Sequence, residues 1–134
     1  TALVWGLMDS DTGSVDAPIG RSKKDRIRMA VISAGRPAKT NYEVTQRWSD
    51  PVVSLIRCKL ETGRTHQIRV HLSAIGHPLV GDELYGGKRS IIELERPFLH
   101  ASFLEFEHPT RNERVSFESQ IPSDLKEVLK DLSD

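Results

Sequence analysis

Short apolar runs and stretches of alternating apolar and polar residues divide most of the chain into segments typical of β-strands. The first eight residues form a mostly apolar run, which predicts a buried strand. Residues 40–48 alternate, as expected of a half-buried strand, and the Ser-Asp-Pro break that follows makes residues 52–60 their hairpin partner. Further strands are predicted at residues 27–32, 98–107 and 114–118.

A helix is predicted in the middle of the chain, after the turn at Gly63. Its expected N-cap is Thr65, whose hydroxyl can accept a hydrogen bond from an early helical N–H, and the helix is expected to close at Gly76. Helical spacing of about 100° per residue gives this segment one apolar stripe. The stripe consists of Ile68, Leu72 and Ile75.

A second helix is predicted after Pro122, with Ser123 as its N-cap. Helical spacing gives it one buried face, formed by Leu125, Val128, Leu129 and Leu132. Two short helices among mainly antiparallel strands predict an α+β fold. The 134 residues suffice for one domain at most, or for part of a larger one.

Polar residues crowd the predicted turn into the first helix, namely Arg64, His66, Gln67 and Arg69. Free backbone N–H groups at a helix start favour anions, so this set suits a phosphate or a paired carboxylate. Arg69 lies at the border of the apolar stripe, and a partly buried guanidinium needs such a partner. The alternative is a structural ion pair, or an arginine of which only the aliphatic stem is buried.

Two longer motifs carry a family resemblance. Residues 62–72 read T-G-R-T-H-Q-I-R-V-H-L, and residues 76–86 read G-H-P-L-V-G-D-x-x-Y-G. Together they resemble the ribosomal large subunit pseudouridine synthases of the RluA/RluD type. Further matching segments follow the family's order and extend the resemblance over most of residues 1–122. They are residues 18–21, 29–31, 38–44, 99–101 and 108–109.

The resemblance implies an enzyme that isomerises uridine to pseudouridine in ribosomal RNA, most of all that of the large subunit. Such enzymes use an Asp in an Arg-Leu-Asp motif, an active-site Tyr, and an Arg that pairs with the Asp. Arg69 matches the Arg, whereas no Arg-Leu-Asp occurs, and the family's Tyr would fall just before Thr1. Tyr42 belongs to a different family segment. Residues 1–134 are therefore expected to be the C-terminal portion of one catalytic domain, inactive alone because the half that bears the nucleophile is absent.

The alternative function is that of an RNA-binding module without catalysis. The chain carries 19 basic and 19 acidic residues, but residues 21–39 hold seven basic residues and one acidic residue, a net charge of +6. One basic segment on a neutral domain is compatible with RNA docking on one face, although a solvated, mobile loop remains open. The expected RNA-binding residues are Arg21, Lys23, Lys24, Arg28, Lys39, Arg64, His66 and Gln67.

The remaining candidate groups suggest no cofactor. The five histidines lack ligand spacing for zinc, and the single cysteine, Cys58, lies in an apolar run where a free thiol acts as a small buried hydrophobe. Tyr85 is either a packing ring or a surface for a base, and packing is favoured.

No apolar run approaches the roughly 20 residues of a membrane span, so a cytoplasmic protein is expected. If a missing half supplies the rest of the sheet, residues 1–8 would form an exposed strand edge. Such an edge predicts self-association of the isolated chain.

Overall fold

The computed structural model describes residues 1–25, 27–107, 109–111 and 113–132. Arg26 of the basic segment 21–39 and His108 of the matching segment 108–109 lie outside these residues. Within the described part the chain forms eight strands and two helices. They are β1 (Ala2–Trp5), β2 (Thr12–Asp16), β3 (Ile19–Arg21), β4 (Met29–Val31), β5 (Lys39–Ser49), β6 (Val52–Leu60), α1 (Gln67–Ala74), β7 (Phe103–Glu107), β8 (Arg114–Glu118) and α2 (Ser123–Asp131).

Four antiparallel strands form the central sheet in the order β1-β6-β5-β2. The predicted hairpin of β5 and β6 is confirmed, with Trp48 opposite Val53 and a register irregularity between Val44 and Gln46. The α+β fold with mainly antiparallel strands and two short helices is likewise confirmed.

Both faces of β1 are buried. Leu3 and Trp5 point into a cluster that includes Leu125 of α2, whereas Val4 points into a second cluster that includes Leu72 of α1. Alternate residues of one strand therefore pack against different helices, as the period of two along a strand requires. The sheet fixes α1 against one of its faces and α2 against the other.

The expectation of an exposed edge along residues 1–8 is wrong. The edge of β1 that faces away from β6 is covered by later parts of the chain. Leu3 N donates to Phe98 O over 3.3 Å, Trp5 N donates to Pro78 O over 3.0 Å, and Leu3 O accepts from Val80 N over 2.9 Å. Because these bonds cover the outer edge of β1, that edge is not free to pair with a second chain. Self-association by another route stays a prediction.

Strands β3 and β4 form a separate two-stranded hairpin beside α1. Ile19 of β3 is buried in a third cluster with Val70 of α1 and Tyr85, and Met29 of β4 packs against the same cluster. The basic segment that precedes β5 is thus folded back onto α1, which is the arrangement that positions the site described below.

The predicted helix starts require correction. Helix α1 begins at Gln67, its N-cap is His66, and no side chain caps it, so Thr65 is not the N-cap. Ile75 is 41% exposed, so the predicted apolar stripe ends at Leu72. The N-cap of α2 is Pro122 rather than Ser123.

The buried face of α2 is close to the prediction. Leu125, Val128 and Leu132 are buried, and Leu129 packs against them.

The predicted strand 98–107 is too long by half. Only β7, its second part, forms a strand, and β7 pairs with β8 so that Leu104 lies opposite Phe117. Residues 98–100 instead run along β1, where Leu99 makes an isolated bridge with Ala2. Apolar and polar residues alternate through residues 98–107 because the backbone is extended in both parts. The first part runs beside β1, and the second part pairs with β8.

Candidate functional site

The turn into α1 is held by Gln67, which is 3% exposed. Its amide Nε2 donates to Lys39 O over 2.9 Å and to Thr40 Oγ1 over 3.0 Å. Its Oε1 accepts from Thr62 Oγ1 over 2.7 Å and from Arg64 N over 3.0 Å. All four hydrogen-bonding positions of this amide are therefore used inside the chain. This placement argues against the predicted direct contact between Gln67 and RNA, and assigns the residue to the scaffold of the turn.

Arg69 projects from α1 and meets a buried carboxylate. Its Nε donates to Asp82 Oδ2 over 2.8 Å and its Nη2 donates to Asp82 Oδ1 over 2.9 Å, a bidentate pair with Asp82 fully buried. The hydrogen bonds to Asp82 raise the pKa of Arg69 above its ordinary range. Asp82 thus supplies the carboxylate that a partly buried guanidinium needs, as in the structural ion pair considered from the sequence, and the pairing of Arg69 with the family's Asp stays a prediction.

Tyr85 lies beneath two arginines. Its ring is 4% exposed, which excludes a platform for stacking a base and confirms the preference for packing. The guanidinium carbon of Arg69 lies 5.0 Å from the ring centroid, and that of Arg28 lies 5.4 Å from it. Both distances suit a cation–π contact. One buried ring thus brings together α1 and the β3–β4 hairpin.

Arg28 has no carboxylate partner among the described residues. Its Nε is buried and has no hydrogen-bond partner. A half-buried guanidinium in this state is costly unless an anion completes it. Since Arg69 is already neutralised by Asp82, the surplus positive charge beside Tyr85 belongs to Arg28.

His66 occupies the left-handed region, with φ of 56°. A non-glycine residue held there carries backbone strain, which is found preferentially at functional sites. Its Nδ1 lies 2.7 Å from Tyr85 Oη. Burial and then the nearby charge of Arg69 lower the pKa of His66, Asp82 opposes this, and Arg21 adds a smaller lowering effect. The lowered pKa favours the neutral form of the ring at pH 7.

The other predicted site residues surround this centre at the surface. Arg64 is half-buried and donates from Nε to Pro37 O over 2.8 Å. Lys39 makes a largely exposed ion pair with Glu61 at 3.4 Å. Lys23 and Lys24 are exposed in the turn that joins β3 to β4. Apart from Gln67, the predicted RNA-binding residues thus lie around the turn into α1 and the β3–β4 hairpin.

The remaining histidine of α1 has a structural role. His71 is fully buried, its Nε2 lies 2.9 Å from Ala17 O, and its Nδ1 lies 2.8 Å from Thr40 Oγ1. In the described part of the chain, no three His, Cys, Asp or Glu side chains come together as a metal site would require. Cys58 packs against the cluster on the α1 face of the sheet, and burial raises the pKa of its thiol to about 11.

Helices that could cross a membrane do not occur among the described residues.

Sequence reasoning missed the role of Asp82 and did not place the packing ring of Tyr85 beside Arg69 and His66. Both follow α1 in the segment Gly81–Gly86, and Asp82 also accepts from the backbone N of Tyr85 over 3.3 Å. The available signal was an acidic residue directly after the apolar run Leu79-Val80-Gly81, because a carboxylate next to buried residues needs a cationic partner. Arg69, already identified as partly buried, was the matching cation.

The comparisons with known proteins agree with this architecture. The family model described as RNA pseudouridylate synthase matches residues 3–74. A protein of Chloroflexus aurantiacus described as an uncharacterized RNA pseudouridine synthase is 50% identical over 99% of this chain and 41% of its own length. Ribosomal large subunit pseudouridine synthase D of Nitrosomonas europaea is 46% identical over 96% of this chain and 39% of its own length.

A solved structure shows the same fold. Human RNA Pseudouridylate Synthase Domain Containing 1 superposes with a TM-score of 0.77 and 32% identity, covering 90% of this chain and 53% of that one. The chain spans about two fifths of the length of the curated relatives it matches. With more than half of its residues matched by the family model, the chain belongs to the RNA pseudouridylate synthase family.

Proposed function

We propose that the whole protein isomerises uridine to pseudouridine in large-subunit ribosomal RNA, and that this chain contributes its RNA-docking surface. The observation that carries the proposal is the half-buried guanidinium of Arg28, which has no carboxylate partner among the described residues. A phosphate of the RNA backbone would complete it. Family membership supports this reaction class, and the names of the relatives support the ribosomal substrate.

Arg69 is the proposed catalytic residue of this chain. Asp82 holds its Nε and Nη2, whereas Nη1 has no hydrogen-bond partner among the described residues. A guanidinium carries five N–H donors, so Nη1 can serve a second carboxylate. In the proposed whole enzyme that carboxylate is the family's nucleophilic Asp, and Asp82 orients the arginine toward it.

The chain itself is proposed to be the C-terminal portion of one catalytic domain of a cytoplasmic enzyme. Its residues include neither the Arg-Leu-Asp motif nor a tyrosine in the family's active-site segment. Incubation of this chain with unmodified ribosomal RNA, followed by chemical mapping of pseudouridine, is expected to give no product. Product would mean that another carboxylate of this chain acts as nucleophile.

The docking surface is tested by removing equal charge from two places. The Lys23→Ala/Lys24→Ala variant changes the β3–β4 turn, and the control Lys126→Ala/Lys130→Ala changes exposed positions of α2. RNA binding by this chain is measured by titration at several salt concentrations. We expect the first variant alone to weaken binding and to reduce the salt slope by about 1 for each lysine that contacts a phosphate.

Equal losses in the two variants would contradict a docking surface on the β3–β4 side. Salt-dependent RNA binding by this chain, together with a lack of pseudouridine formation by the whole protein, would favour the alternative, an RNA-binding module without catalysis. A whole protein that forms no pseudouridine has no turnover for Arg69→Met to change. The proposal predicts instead that Arg69→Met abolishes the turnover of the whole protein.

A further inference from the structure

A hydrogen-bonded path runs from the β3–β4 hairpin to the start of α1 through one phenol. The backbone N of Met29 donates to Tyr85 Oη over 2.9 Å, and Tyr85 Oη lies 2.7 Å from His66 Nδ1. The two rings meet edge to face, with centroids 5.6 Å apart. The path fixes the relative position of β4, Tyr85 and His66.

The direction of the second hydrogen bond follows from burial. The Tyr85 ring is buried, and a buried hydroxyl proton needs an acceptor. Met29 N can only donate, so among the described partners of Oη the only acceptor is His66 Nδ1. Tyr85 therefore donates to Nδ1, and the proton of the neutral imidazole lies on Nε2.

The Nε2–H of His66 is left without a protein acceptor among the described residues, and the ring is only half-buried. The charged and titratable groups that face His66 are Arg69 of α1, Asp82 and Tyr85 of the following segment, and Arg21 of β3. Besides burial, the positive charges of Arg69 and Arg21 oppose a second proton on the imidazole ring, and Asp82 favours it. The Nε2–H of a half-buried ring is therefore a neutral donor available for a ligand.

We propose that Tyr85 is a positioning residue that fixes His66 as the Nε2–H tautomer, so that Nε2–H donates to an oxygen acceptor of the bound RNA. The second half of this inference rests on the proposed RNA function. The acceptor is either a phosphate oxygen or a base carbonyl oxygen, since both accept from a neutral N–H.

The tautomer is measured directly by nitrogen NMR of the chain with ¹⁵N-labelled histidine. Wild type and the control Tyr42→Phe, which removes the hydroxyl of the other tyrosine, are expected to show His66 protonated on Nε2. Tyr85→Phe is expected to raise the ratio of the Nδ1–H to the Nε2–H form about fivefold, as the loss of one hydrogen bond allows. An Nδ1–H form in wild type, or equal ratios in both variants, would overturn the proposal, and the wild-type result stands whether or not Tyr85→Phe folds.

The RNA contact is tested on the wild-type chain with two ligands of equal length, oligouridylate and an abasic oligonucleotide. A shift of the Nε2–H signal with both ligands identifies a phosphate oxygen, and a shift with oligouridylate alone identifies a base carbonyl. Salt-dependent binding without a shift in either case overturns the contact while leaving the proposed RNA function intact. A chain that binds neither ligand contradicts the proposed docking surface instead.

Discussion

The two small hairpins of this molecule differ in what holds them. The β3–β4 hairpin buries Ile19 beside Val70 of α1 and donates from Met29 N to the buried Tyr85 hydroxyl. The β7–β8 hairpin leaves Leu104 and Phe117 more than half exposed. Both are short antiparallel pairs, so strand pairing alone does not decide whether a hairpin is fastened to the domain.

The difference lies in neighbours that are distant in sequence. Met29 and Tyr85 are 56 residues apart, yet their hydrogen bond joins the basic hairpin to the candidate site. Isolated two-stranded hairpins are at best marginally stable, so this contact helps to hold the β3–β4 hairpin against α1. The contrast between the two hairpins predicts where substitutions will be costly.

The largest expected effect comes from Phe98→Ala, compared with Phe103→Ala. Phe98 is fully buried between β1 and α2, whereas Phe103 of β7 is 53% exposed. Truncating the buried ring should lower the free energy of unfolding by about 3–5 kcal/mol, because it leaves a cavity. Urea denaturation measures both variants. The exposed ring should cost less than about 1 kcal/mol, and equal losses would mean that the β7–β8 hairpin is packed as firmly as the core.

A slightly smaller effect is expected from Asp82→Asn, which breaks the buried pair under the β3–β4 hairpin. The remaining guanidinium of Arg69 would be left without a charge partner, at a cost of about 3 kcal/mol. The control is Asp124→Asn, since Asp124 makes the same bidentate pair with Arg96 at 2.7 and 2.8 Å but in an exposed setting. Exposed pairs contribute little because water and salt screen them. Equal changes in the urea midpoint would show that burial of Asp82 is unimportant.

The smallest effect is a pH dependence at His66. Because burial and Arg69 lower the pKa of His66 in the folded chain, the unfolded chain binds the proton more readily below its ordinary pKa of about 6.5. Stability should therefore fall as the pH drops from 7 toward 5. His66→Asn, which tolerates the left-handed backbone, should remove part of that slope in thermal unfolding. An unchanged slope would assign the loss to other groups.

The sequence predicted the regular part of the fold and failed at long-range polar pairs. The β5–β6 hairpin and the buried face of α2 follow from local periodicity, which depends on neighbours two to four residues away. The pairing of Arg69 with Asp82 depends on the path of the loop between them, and periodicity carries no information about that path. The left-handed φ of His66 could not be predicted from the sequence either. Glycine is the usual residue in that region, and a histidine does not indicate it.

The position of β1 also has a consequence for the order of folding. Leu3 bonds to Phe98 and Val80, so one edge of β1 is completed by partners 95 and 77 residues further along the chain. Contacts over such distances close large loops. The chain loses the conformational entropy of loop closure before the contacts can stabilise it. During synthesis β1 leaves the ribosome long before these partners exist. Until residues 78–98 emerge, the outer edge of β1 lacks these partners and can pair with another strand instead.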